Sequence, residues 1–124
     1  MRNPEKLFEI ELVNHDKAIE IIEHRGILGL FITKSEKGDK YVAIDNGCGY
    51  CWVEEFASLY VANCWLMDTM DTEEAYKVDA AITRVAEFVK QHDWYKDYPM
   101  EKCREMAEYQ ILKLRDSQKR KGAK

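Results

Sequence analysis

The chain has 124 residues, 46% hydrophobic and 34% charged, with a net charge of −4. That length suits one domain with a core that needs neither metal nor disulfide staples, and the composition excludes the low-apolar, high-charge regime of disorder. Residues 115–124 hold five basic side chains against Asp116, so residues 1–114 carry −8 and repel nucleic-acid phosphates; direct nucleic-acid binding would have to run through this basic end. No run of eighteen apolar residues and no secretory leader pattern is present, which gives the expectation of a soluble, intracellular protein whose four cysteines stay reduced.

Asn3, Pro4 and Glu5 read as an N-cap, a first-turn proline and a first-turn acid, and predict a helix over residues 4–12. The competing signal is the alternation of Phe8, Ile10 and Leu12 with Glu9 and Glu11, which has the period of a strand. Asn14 and Asp16 then open a helix over residues 15–25 with Ala18, Ile21 and Ile22 on its apolar face and Gly26 as its left-handed stop. Ile27 to Thr33, a polar turn holding Gly38, and Tyr41 to Ile44 predict a β-hairpin. Asp45-Asn46-Gly47 reverses the chain into a third strand over Tyr50 to Phe56, giving a three-stranded antiparallel meander covered on one face by helices.

Ser58 caps a covering helix that reaches about Met67. Asp71 and Glu74 have capping-box spacing and open a long helix whose Ala75, Val78, Ile82, Val85 and Val89 read as a heptad seam. After a break over Asp93 to Pro99, a last helix from Met100 to about Gln118 carries Cys103, Ala107, Ile111 and Leu114 as its buried stripe. The expected architecture is α+β: one or two N-terminal helices, the meander, a covering helix and a C-terminal antiparallel helical hairpin, in a single domain over 1–118 followed by a flexible basic tail over 119–124. Tyr76, Phe88, Tyr95, Tyr98 and Tyr109 on the outer helical faces suit a homodimer contact.

Cys48-Gly49-Tyr50-Cys51 has the spacing of a redox or metal pair. A reactive dithiol wants its first sulfur at a helix N-terminus, whereas Trp52 to Phe56 reads as a strand and brings two carboxylates beside the thiols. A zinc site would need Cys64 and one of His15, His24 or His92 to join the pair, and structural thiols are the simpler reading. No nucleophile-base pattern, phosphate loop or dinucleotide fingerprint occurs, so the expectation is a protein that is not an enzyme and carries no cofactor. Asp45, Glu54, Glu55, Asp68, Asp71, Glu73, Glu74 and Asp79 form an acidic run, interrupted by Lys77, that can imitate a nucleic acid to a protein that binds one.

Tyr41-Val42-Ala43-Ile44-Asp45-Asn46, Gly49, Trp52-x-Glu54-Glu55-Phe56, Ala62 and Trp65-Leu66 together resemble small proteins of bacteriophages and mobile elements over residues 26–67. Those proteins often carry Ser, Thr or Asp where this chain has a turn cysteine. The resemblance implies an accessory factor of the kind that includes anti-CRISPR inhibitors, and it transfers no inhibitor residue. The reading favoured is therefore occlusion of a host protein, such as a defence nuclease, through Asp45, Glu54, Glu55, Asp71, Glu73, Glu74 and Tyr76, with Trp52 and Trp65 holding the scaffold. The alternatives are a binder of an anionic ligand or nucleotide signal in a dimer cleft of Arg84, Arg104, Trp94 and Tyr98, and a thiol or zinc protein built on Cys48 and Cys51.

Overall fold

A computed structural model describes residues 9–92 and 95–122, with side chains through Leu114. The elements run β1 (Ile10–Leu12), α1 (His15–His24), β2 (Gly29–Lys34), β3 (Tyr41–Asn46), β4 (Trp52–Phe56), α2 (Leu59–Leu66), α3 (Thr72–Lys90) and α4 (Met100–Gly122). The class is α+β, with four helices and one mixed four-stranded sheet of order β1-β2-β3-β4 among the described residues. The chain divides into two compact units, Met1–Tyr76 and Lys77–Lys124.

In the first unit the meander expected from the sequence is present as β2, β3 and β4, and β1 is added to it. Ile10 to Leu12 form a strand parallel to β2, with Ile10 opposite Leu30 and Leu12 opposite Ile32, which corrects the helix expected over 4–12. Backbone pairing with β2 rather than a buried face decides the matter, since Ile10 is half-buried and Leu12 is exposed while the Val13 amide continues the ladder onto the Ile32 carbonyl at 2.9 Å. The cap signature at Asn3 to Glu5 lies outside the described residues. Two neighbouring parallel strands need a long crossover, and α1 supplies it.

Asn14 caps α1 by accepting the Lys17 amide at 2.8 Å. The left-handed residue that ends α1 is Arg25, at φ 55°, rather than the expected Gly26, and its amide donates to the Ile21 carbonyl at 2.9 Å. β3 likewise continues through Asp45 to Asn46 instead of turning at Asp45.

The register divides the side chains into two faces. Phe31, Ile44 and Val53 lie on one, where Ala18 and Ile21 of α1 pack with Phe31, Ile44 and Cys51 and with the partly buried Ile22, Val42 and Val53. Leu30, Ile32, Ala43 and Phe56 lie on the other, which α2 covers with Val61, Ala62, Trp65 and Leu66, all fully buried. The sheet is thus covered on both faces rather than one, and β2 is buried at every position but Lys34. That burial explains its nearly unbroken apolar sequence.

Ser58 Oγ accepts the Val61 amide at 3.2 Å to start α2, and Asp71 Oδ1 accepts the Glu74 amide at 2.8 Å to start α3. In the second unit α3 buries Val78, Ile82 and Ala86, while Val85 and Val89 are only half-buried. Spacings of three, four and four from Ala75 follow a straight helix rather than the expected heptad seam. α4 buries Cys103 and Ala107, but Leu114 at the end of its expected stripe is exposed. The Lys90 ammonium closes the end of α3 by donating to the carbonyls of Lys96 and Tyr98. α4 runs to Gly122, so residues 119–122, expected as a tail, have helical backbone.

Candidate functional site

β4 is an edge strand of the sheet, and its residues alternate between the two covered faces. Trp52, Glu54 and Phe56 point toward α2. The Trp52 ring meets the Trp65 ring edge-on at 5.5 Å, and the Phe56 ring lies 6.0 Å from Trp65 and 5.1 Å from Tyr76. Trp65 is fully buried and donates its indole N–H to Thr72 Oγ1 at 3.0 Å, so the aromatic staple also fixes the first turn of α3. Aromatic pairs in tilted and edge-on geometry add to the area they bury.

Glu54 organises the exposed rim of this cluster. Its carboxylate accepts the Trp52 indole N–H at 2.7 Å with one oxygen and the Tyr76 hydroxyl with the other. Burial, the hydrogen bond to Glu54 and the charges of Glu54 and Glu55 push the Tyr76 phenol up to about 12, with a backbone hydrogen bond from Glu55 acting the other way. Trp52 and Tyr76 nevertheless remain 40% and 42% exposed. Two amphipathic rings are thus held in fixed orientation with part of each ring in water, and Leu59 and Tyr60, in the first turn of α2, are also exposed.

The expected contact residues divide according to their surroundings. Glu54 and Tyr76 meet directly, and Asp71, Glu73 and Glu74 sit at or beside the first turn of α3, where carboxylates complement the helix dipole. Glu55 is exposed on the opposite face of β4 from Glu54. Asp45 is withdrawn from the surface at 6% exposure, and its Oδ1 accepts the Gly47 amide at 3.2 Å, so its carboxylate shapes a turn. Trp52 combines the scaffold role expected of it with an exposed ring.

Asn46, read from the sequence only as a turn residue, is fully buried. Its Nδ2 donates to the carbonyls of Arg25 at 3.0 Å and Ile27 at 2.8 Å, tying the end of β3 to the left-handed exit of α1, while its Oδ1 is buried without a partner. Nothing in a single Asp-Asn-Gly string distinguishes such a clamp from an open turn, because the acceptors lie about twenty residues away.

The cysteine pair is split by its environment. Cys48 is exposed, whereas Cys51 is buried in the α1-side core with φ 54°, its sulfur 4.0 Å from the Ile21 carbonyl. Burial pushes the Cys51 thiol up, and the nearby Arg25 charge opposes this only in part. Cys51 leads into a strand rather than heading a helix, the reverse of what thiolate activation needs. Among the described residues no three His, Cys, Asp or Glu side chains converge as metal ligands. His15 lies 3.3 Å from Glu36, and His92 packs edge-on against Phe88 at 5.3 Å. In the second unit Arg84 is exposed, Arg104 has a buried Nε without a partner, and Trp94 lies outside the described residues. No helix among the described residues is long and apolar enough to cross a membrane.

Comparison with protein-family models, with curated proteins and with solved structures finds no match to this chain. The functional reading therefore rests on the surface geometry.

Proposed function

We propose that the chain is a non-enzymatic docking protein of the phage or mobile-element accessory kind, and that it occludes a basic surface of a host protein. The observation that carries this reading is the Glu54 junction, which orients two half-exposed rings, Trp52 and Tyr76, beside the acidic first turn of α3. Rigid, partly exposed aromatic rings ringed by charge are the usual anchors of protein interfaces, because they bury area at little cost in side-chain entropy. The carboxylates of Glu54, Asp71, Glu73 and Glu74 select a cationic partner and exclude polyanions, while Glu55 faces the other side of the sheet.

Arginine- and lysine-lined grooves that hold nucleic acid are the surfaces such a patch complements. A defence nuclease of the host is accordingly the class of target, blocked by steric occlusion in the bacterial cytoplasm. The test uses the tagged full chain and its Glu73→Lys/Glu74→Lys variant, with folding of both checked by melting temperature. The native chain is expected to retain a partner from host lysate that the variant loses and that raised salt releases. Retention of the same partner by the variant, or recovery of no partner by the native chain, overturns the reading.

A further inference from the structure

A second site lies on the opposite side of the sheet. Beyond the point where Ala18 and Ile21 of α1 pack on Phe31 and Ile44, the sheet face stays open toward the β2–β3 turn, leaving a groove of about 430 Å³. This volume falls within the range of small-molecule sites, roughly 300–1,000 Å³. Its floor is the cross-strand row Thr33, Val42 and Glu55, and its apolar wall is Ala18, Ile19 and Ile22. Thr33 is 6% exposed, and its hydroxyl has no hydrogen-bond partner among the described residues. A hydroxyl that reaches the groove from an otherwise buried residue is a group that a ligand can hydrogen-bond.

The charges around the groove are of both signs, and some of them are already engaged. Glu36 faces His15 across 3.3 Å, joining the start of α1 to the turn, and Asp39 accepts the Ser35 hydroxyl at 3.0 Å. Lys37, Lys40 and Glu55 form no ion pair among the described residues. Lys40 and Glu55 lie to either side of Val42, one two residues before it, just ahead of β3, and the other opposite it on β4. At the turn the ammonium groups of Lys37 and Lys40 thus stand without an ion pair beside the still-charged Asp39 carboxylate, and Glu55 stands without one on β4, across an apolar floor.

From this arrangement we propose that the groove binds a small zwitterion with an apolar body, of the class of a free apolar amino acid. Its carboxylate lies at Lys37 and Lys40, its ammonium at Glu55, and its side chain on Ala18, Ile19 and Ile22, with the Thr33 hydroxyl taking one polar atom. A simple anion would meet Glu55, and a simple cation would meet the two lysines, so the mixed rim discriminates against both. This site lies on the other face of the sheet from the docking surface and does not depend on that reading.

The test is a titration of the isotope-labelled full chain with L-phenylalanine, phenylalanine amide and N-acetylphenylalanine, followed by amide and methyl chemical shifts. Phenylalanine is expected to shift Ala18, Ile19, Ile22 and Val42 saturably, with each single-charge analogue about fivefold weaker, the scale of a partly exposed ion pair. Glu55→Gln is expected to abolish the preference for phenylalanine over the N-acetyl analogue while leaving that over the amide intact. Ile19→Asp, at a half-exposed position that spares the core, removes binding altogether. Equal affinity for all three compounds, non-saturating shifts, or shifts confined to other residues overturn the proposal.

Discussion

Replacing Trp65 by alanine removes the side chain on which β4 and α2 depend together. Trp65 is fully buried, meets the rings of Trp52 and Phe56 at 5.5 and 6.0 Å, and donates to Thr72 at 3.0 Å. Truncation of a buried tryptophan costs about 3–5 kcal/mol, and the orphaned Thr72 hydroxyl faces the resulting cavity. Set against a total of about 5–15 kcal/mol for a small domain, Trp65→Ala is expected to leave the first unit marginally folded. Trp65→Phe keeps a ring in the staple but loses the N–H donor and some volume, an expected cost of about 1–2 kcal/mol. Trp52→Ala, at a ring already 40% exposed, should cost about 1 kcal/mol. Urea unfolding followed by circular dichroism gives the three values. The reasoning fails if Trp65→Ala loses less than about 1 kcal/mol at unchanged denaturant slope, or if Trp52→Ala costs more than Trp65→Ala.

Three further outcomes follow from individual groups. Asn46→Ala strips the donors from the Arg25 and Ile27 carbonyls, and its urea midpoint should fall by the equivalent of about 2–3 kcal/mol, whereas loss of an open turn residue would change it little. The Tyr76 phenol, ordinarily titrating at 10, holds its proton to about 12 when folded, so the unfolded chain ionises first and stability falls as pH rises across that interval; the fall should be smaller in Tyr76→Phe, as read from urea midpoints at alkaline pH. Iodoacetamide at neutral pH should label the exposed Cys48 at least tenfold faster than Cys51, whose burial withholds its thiolate, and equal rates by mass spectrometry would refute the core placement of Cys51.

The parts of the fold legible in the sequence are those with local signatures. Apolar, β-branched runs separated by glycine-bearing turns marked β2, β3 and β4, and Asn14, Ser58 and Asp71 each marked a helix start with a side chain that does accept the amide three residues on. What was not legible depends on residues distant in sequence. β1 has three residues, and its parallel register with β2 emerges only once α1 has crossed the sheet. Asn46 reads as a turn because its acceptors belong to the exit of α1. Asp45, identical in type to Asp71 within an acidic run, is buried by the sheet while Asp71 caps a helix. The pairing of Glu54 with Tyr76 joins residues 22 apart, and the groove beside α1 exists only because that helix leaves the end of the sheet face open.

Hydrogen exchange of the full chain, alone and with a partner captured through its acidic surface, tests the docking account most directly. Bound partner is expected to slow exchange in residues 52–56 and 71–76 and to leave the buried strand 29–34 unchanged. Protection confined to α4 or to the groove beside α1, with β4 and the start of α3 exchanging as in the free protein, contradicts it.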